Sequence, residues 1–305
     1  MMLERKLPTR EEVQSWLHDR RNWGRWPNGA GAYNLLTADK RKAAVGLVKS
    51  GRAVSLSRAL PVAPAANNPE PAQHYTKTHG SLGEAGGAAV DYLGIFQHGF
   101  TVTHLDALCH TWDEDGMWEG RDPAKELTFD GASHGAVDNW RDGFMTRAVL
   151  LDVPKHRRTP YVTQDAPVHG WELEEILEEE GLTIGPGDAA VVYSGLEAYA
   201  RENGPYGADR SRFPGVHASC LPFIRERDIA LWVWDMTEMV PNGYGLPWSI
   251  HGILYSYGVA LVDNALLAPL AQACAQEGRY EFLLTVNPLV VVGGTGSPVN
   301  PVAVL

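Results

Sequence analysis

Short apolar runs alternate with polar or helical stretches through the second half of the chain. "RAVLLDV" (147–153), "AAVVYSG" (189–195), "IALWVWDM" (229–236), "GVALVDN" (258–264), "EFLLTV" (281–286) and "LVVVGG" (289–294) are such runs. Their length and β-branched content predict strands buried on both faces rather than buried helices. "WELEEILEEEG" (171–181) predicts a helix with an acidic outer face. "NALLAPLAQACAQEG" (264–278) predicts another, with Asn264 as N-cap and Gly278 as stop. Nearer the N-terminus, "LTADKRKAAVGLVKSGR" (36–52) sets Ala43, Ala44, Leu47 and Val48 at helical spacing, with Gly51 as the stop. "AVSLSRAL" (53–60) follows as a strand.

Residues 60–90, rich in Pro, Ala, Gly and Asn, read as a long irregular excursion over the surface, either a functional lid or arm or a plain solvated loop. No internal repeat or linker divides the rest. The pattern therefore predicts one mixed α/β domain over residues 1–305, with an N-terminal extension at 1–50.

The charge balance narrows the partners. With 26 basic against 37 acidic residues the formal net charge is −11. Nucleic acid and anionic membrane surfaces would be repelled by that field. Cys109, Cys220 and Cys274 are far apart and form no CxxC pair, which argues against a disulfide framework or structural zinc cluster. The N-terminal segment lacks the apolar core of a signal peptide, and no run reaches the length of a membrane span. The expectation is a soluble cytoplasmic protein acting on a small molecule.

The candidate chemistry sits in "TVTHLDALCH" (101–110). Its β-branched start favours a strand, on which His104 and Asp106 share a face. On a helix they would diverge by about 200°. Neutral imidazole with carboxylate suits zinc or manganese, either of which acidifies bound water. A turn after Asp106 can bring His110 back over the pair as a proton carrier, since an imidazole titrates near neutral pH. His98 lies six residues before His104, roughly 20 Å of extended chain. It joins the pair only if the backbone folds back near Gly99. The bland alternative is an Asp–His hydrogen-bonded pair without a metal.

Together with "GMWEG" (116–120), "MTRAVLLDVPKH" (145–156), residues 22–57 and "VVGGTGSPVNPVAV" (291–304), this motif resembles the cyclase family of metal-dependent hydrolases. Bacterial kynurenine formamidase and isatin hydrolase belong to that family. The resemblance implies a swivelling β/β/α fold, a homodimer or larger homo-oligomer, and a zinc or manganese site. It assigns His104 and Asp106 as ligands and His110 as the proton-transfer residue. The family's first ligand histidine falls where this chain has Phe100, so His98 either replaces it or that ligand is missing. His251 and Asp263 match a second His and a carboxylate spaced twelve apart in some members, with Asp263 standing for Glu. Read from the residues alone, Asp263 is equally the end of a strand and part of a helix cap.

Trp112 and His217 are the candidate substrate contacts, with core packing and a helix-start hydrogen bond as their respective alternatives. Trp118, Trp232, Trp234 and Trp248 are further pocket-wall candidates. Asp235 and Glu238 follow a buried strand and read as structural carboxylates or site residues. "GGTGSP" (293–298) reads as a tight turn rather than an anion loop, because no helix follows it. The implied activity is hydrolysis of a formamide, cyclic amide or lactone. Its rivals are a metal-dependent cyclisation or dehydration, and a non-catalytic ligand-binding protein.

Overall fold

A computed structural model describes residues 5–80, 83 and 86–305. In chain order the strands are β1 (Ala53–Ser55), β2 (Gln73–His79), β3 (Ala88–Gly94), β4 (His104–Asp106), β5 (Leu127–Thr128), β6 (Gly131–Ala132) and β7 (Phe144–Asp152). They continue with β8 (Ala189–Tyr193), β9 (Leu231–Trp234), β10 (Ala260–Asp263), β11 (Glu281–Val286), β12 (Gly296–Pro298) and β13 (Val302–Val304).

Among the described residues one large sheet runs β1-β13-β11-β7-β8-β9-β10-β4-β12. Its centre, β7-β8-β9-β10, is parallel, and antiparallel strands flank it on both sides. This is the mixed α/β sheet that the apolar runs predict. The parallel strands are buried along almost their whole length, which explains why they read as continuous apolar runs without alternation.

Strand β4 is buried at all three positions although two are His and Asp. It lies between β10 and β12, with Asp263 opposite His104 and Leu261 opposite Asp106. Residues two apart on a strand share a face, and directly opposed residues across a pair are close neighbours. His104, Asp106 and Asp263 are therefore gathered on one face by sheet register alone.

The N-terminal segment is bound to this region. Its helix Arg10–Asp19 begins with a capping box from Thr9 and Glu12 and buries Val13 and Leu17. The Trp23 indole donates to the Tyr255 carbonyl at 2.6 Å, and the Tyr257 hydroxyl to the Trp16 carbonyl at 2.9 Å. These contacts clamp the segment that follows His251.

Four expectations change. The run at 289–294 is not a strand: Leu289, Val290, Val291 and Val292 are exposed, and the edge strand forms one turn later, at β12. Hydrophobic content misleads there because a three-residue edge strand holding Gly and Pro carries no pattern. The 60–90 excursion is partly regular, since β2 pairs with β3 as an exposed hairpin. Its strand signal, Tyr75, Thr76 and Thr78 among polar residues, lacks the buried face that would have made it visible. The first predicted helix ends at Val45, capped by Gly46, so Leu47 and Val48 lie beyond it. Asn264 is not an N-cap, because that helix begins at Ala268. Instead Asn264 adopts a φ of 54° and its amide donates to the carbonyls of Gly99, at 2.6 Å, and Val102, at 3.1 Å.

Candidate metal centre and cavity

Those two Asn264 bonds tether the loop between Gly99 and Val102. Gly99, at φ 146°, reverses the chain there in a conformation that a side chain would disfavour. The reversal brings His98 back onto β4, with its Nδ1 2.9 Å from Asp106 Oδ1. Gly296 makes room for the ring: a Cβ at that position would sit 2.8 Å from His98 Cε1 and 2.7 Å from the Leu105 carbonyl.

Around the buried Asp106 the other donors converge. His104 Nε2 lies 3.3 Å from Asp106 Oδ1 and 3.9 Å from Asp263 Oδ2. His251 Nε2 lies 3.8 Å from Asp106 Oδ2 and 3.4 Å from Asp263 Oδ2. Ligand atoms on a tetrahedral ion with bonds near 2.1 Å stand about 3.4 Å apart, and about 3.0 Å when they meet at a right angle. The observed spacings match that range. His98, His104 and Asp106 form one candidate metal group and Asp106, His251 and Asp263 a second, joined at Asp106.

The hydrogen bonds around these atoms narrow their roles. Asp106 is fully buried, yet neither carboxylate oxygen accepts a well-aligned hydrogen bond: His98 Nδ1 at 2.9 Å and His104 Nε2 at 3.3 Å approach Oδ1 as charge neighbours with poor hydrogen-bond alignment. Buried charges are ordinarily paired or bound to metal. Each histidine meanwhile has its other nitrogen occupied. His104 Nδ1 donates to the Val102 carbonyl at 2.8 Å, and His98 Nε2 meets the Thr295 hydroxyl at 3.0 Å. His251 Nδ1 donates to Glu238 Oε1 at 2.9 Å, while Glu238 Oε2 accepts from the backbone of Ser249 and Ile250. Such outer contacts fix the tautomer and turn the remaining nitrogen inward, as metal-ligating histidines require. The residues fit a divalent cation.

The charges of the cluster also shift the proton affinities of its members. Burial opposes a charge on His104, but Asp106, Asp263 and the Val102 carbonyl outweigh it and lift its pKa to about 9. Burial likewise opposes protonation of His251, and Glu238 and Asp263 reverse the balance, raising it well above the usual value. Asp106 goes the other way, since the surrounding imidazoles overcome its burial and keep it ionised.

His110 differs. It stacks on His98 with ring centroids 3.8 Å apart and planes 4° from parallel, and its Nε2 lies 3.9 Å from Asp106 Oδ1. Burial pushes its pKa down to about 4; Asp106 pulls it up, and the imidazoles of His98, His251 and His104 add to the lowering. A neutral His110 facing the cavity can accept a proton at neutral pH.

The cavity above the cluster has a volume of about 320 Å³. His98, His104, His110, His251 and Asp263 line its floor, and Phe100, Phe213, Val240, Pro247 and Trp248 form apolar walls. Phe100 packs edge-on against Tyr206 and Phe213, 5.8 and 5.1 Å between centroids, so it is a wall where a ligand was expected.

The two expected substrate contacts lie elsewhere. Trp112 is exposed, and it and His217 are outside the cavity lining. His217 accepts the Ser219 amide at 3.0 Å and meets the Tyr244 hydroxyl at 3.0 Å, so one ring nitrogen serves the helix start and the other a distant loop. Of the other tryptophans, Trp118 and Trp232 are core residues, and Trp234 is buried with its indole donating to Asp263. Asp235 is structural, accepting the amides of Ser194, Gly195 and Leu196 at the start of a helix. Thr295, in the stretch read as a plain turn, holds His98. Glu238 holds His251, and nothing in the sequence links the two. A third acidic group, His18, Asp113 and Asp115, is closed by Arg21, whose guanidinium lies 2.5 and 2.7 Å from the two carboxylates.

The comparisons agree with this architecture. A solved structure described as a novel cyclase is 28% identical to this chain, with a TM-score of 0.84 over 95% of this chain and 99% of that one. An isatin hydrolase bound to the product analogue thioisatinate superposes at a TM-score of 0.57 and 16% identity, over 88% of this chain and 99% of its own. Isatin hydrolase A from Labrenzia aggregata, bound to benzyl benzoate, does so at 0.57 and 18%, over 85% and 94%. At those identities the isatin hydrolases show a shared fold. No curated protein matches the sequence. Among the described residues no helix is long and apolar enough to cross a membrane. The family model described as "Putative cyclase" matches residues 53–239, more than half of the sequence, and the chain belongs to the cyclase family.

Proposed function

We propose that the chain is a metal-dependent hydrolase that cleaves a C–N or C–O bond in a small carbonyl compound: a formamide, a cyclic amide or a lactone. The observation that carries this reading is Asp106, fully buried inside a ring of imidazole and carboxylate groups, with neither oxygen accepting a well-aligned hydrogen bond. His98, His104 and Asp106 would hold zinc or manganese, and His251 and Asp263 with Asp106 would hold a second ion or complete the first. A bound ion supplies Lewis-acid polarisation of a carbonyl and acidifies water.

The chain's residues supply the rest. Phe100, Phe213 and Trp248 exclude bulk water and receive the apolar part of the substrate. His110 takes the proton from the attacking water and returns it to the leaving nitrogen or oxygen, so one water adds as one bond breaks. The stack on His98 fixes the plane of the His110 ring during both transfers. Glu238 holds His251 in orientation and balances its charge. Hydrolase neighbours of the same fold support this reading. A cytoplasmic location and a homodimer or larger homo-oligomer belong to the proposal as well, and sedimentation of the purified protein checks the assembly.

The test is turnover of an aryl formamide or aryl lactone by manganese- or zinc-loaded protein in oxygen-18 water. Label in the carboxylate product, lost in the His104→Ala variant, is the expected result. Turnover without label would mean cyclisation or elimination instead.

A further inference from the structure

The cavity's apolar walls hold one cation. Arg210 lies in the lining, with its guanidinium carbon 5.7 Å from the centroid of the Phe100 ring. Among the described residues it makes no ion pair or side-chain hydrogen bond. The adjacent carboxylate, Asp209, is turned to Ser211, accepting its amide at 2.9 Å and its hydroxyl at 2.6 Å. Other polar groups in the lining are already engaged. The Thr237 hydroxyl meets the Tyr206 hydroxyl at 3.3 Å, and the Asn242 amide donates to Leu246 and accepts from Tyr244. Arg210 thus carries unspent donors on a cavity surface where Thr237 and Asn242 are already hydrogen-bonded within the chain.

In a chain of net charge −11 an anion approaches against the overall field. The exposed, unpaired Arg210 guanidinium adds a positive charge at the cavity against that field. Its planar fork matches a carboxylate, and a ring packed beneath it limits the conformational freedom lost on binding. The floor of the same cavity is where a carbonyl would be attacked, and its walls are aromatic.

We propose that Arg210 binds a carboxylate on the substrate, so that the enzyme's substrates are aromatic amides or lactones bearing an anionic group apart from the bond that is cleaved. This rests on the hydrolase reading for the bond broken, but not for the anion bound. In the reaction water adds across the scissile bond, and the anion held by Arg210 is unchanged.

The test compares 4-formamidobenzoate with its methyl ester, which has nearly the same shape without the charge. Hydrolysis yields formate and the corresponding aniline. Manganese-loaded wild type is expected to favour the acid by tenfold or more in kcat/KM, mainly through KM. Arg210→Ala should collapse that preference towards unity, and Arg210→Lys should retain part of it. No preference in wild type, or a preference that survives Arg210→Ala, overturns the proposal. If neither compound is hydrolysed, the hydrolase reading is in difficulty and the anion site is read from binding alone. Calorimetric titration with 4-aminobenzoate should then show binding to wild type that weakens tenfold or more in Arg210→Ala. No binding to wild type, or equal binding to the variant, overturns the anion site.

Discussion

Glu238 accepts the Nδ1–H of His251 at 2.9 Å through one oxygen and the amides of Ser249 and Ile250 through the other. One buried carboxylate therefore sets both the ring and the backbone of the segment that delivers His251 to the cluster. Glu238→Gln keeps an acceptor for the ring but removes the charge. Metal affinity should fall about 10–100-fold, as it does when outer contacts of metal-bound histidines are removed. Titration with manganese or zinc measures it, and an unchanged affinity would remove His251 from the ligand set.

In the proposed site, protons and metal would compete for the same nitrogens. With His104 at about 9 in the metal-free protein, metal binding at pH 7 must displace its proton. Affinity should rise by up to about tenfold per pH unit towards pH 9 for each proton released. The stability of the metal-free protein follows the opposite trend. His104 lies above its usual value of 6.5, so its contribution is complete below that pH and disappears as pH rises through about 9. Binding titrations and metal-free melting curves between pH 6 and 10 read both trends.

His110 should separate catalysis from metal retention. It stacks on a proposed ligand, and burial keeps it neutral, with a pKa near 4. His110→Ala should keep its metal while kcat falls by about 10²–10⁴-fold, the usual range for loss of a general acid–base. Loss of metal together with activity would make it a ligand.

The ligand absent at position 100 gives a sharper contrast. Phe100 faces Tyr206 and Phe213, and its ring lies against Gly207. Restoring the family residue with Phe100→His should not rescue the metal lost in His98→Ala, because position 100 is committed to the wall. Metal content of the double variant decides this, and rescue would show that the loop can shift its register by two residues.

The central strands were readable because burial on both faces leaves apolar runs of strand length. His104 and Asp106 were readable as a pair because strand geometry puts alternate residues on one face. Asp263 was not readable from periodicity: its place opposite His104 depends on the register of two strands more than 150 residues apart, and only the family resemblance raised it. His98 needed a chain reversal whose cause, the Asn264 tether, lies equally far along the chain. Asn264 resembles an N-cap in sequence because a cap and a tether use the same amide chemistry. Glu238 and Thr295 are long-range partners with no local signature, and Trp112 and His217 show that residue type alone does not place a side chain in a cavity.

In the proposed function the ionised Asp106, ringed by imidazoles, is the ligand shared by both halves of the cation site. Elemental analysis and calorimetric metal titration of wild type beside Asp106→Asn test it most directly. The variant preserves shape but replaces one carboxylate oxygen with an amide nitrogen that donates hydrogen bonds. Wild type should hold at least one manganese or zinc per chain, and the folded variant should lose it with a drop in affinity of about 100-fold or more. Wild type that takes up no divalent metal, or an Asp106→Asn variant that binds as tightly, would contradict the account.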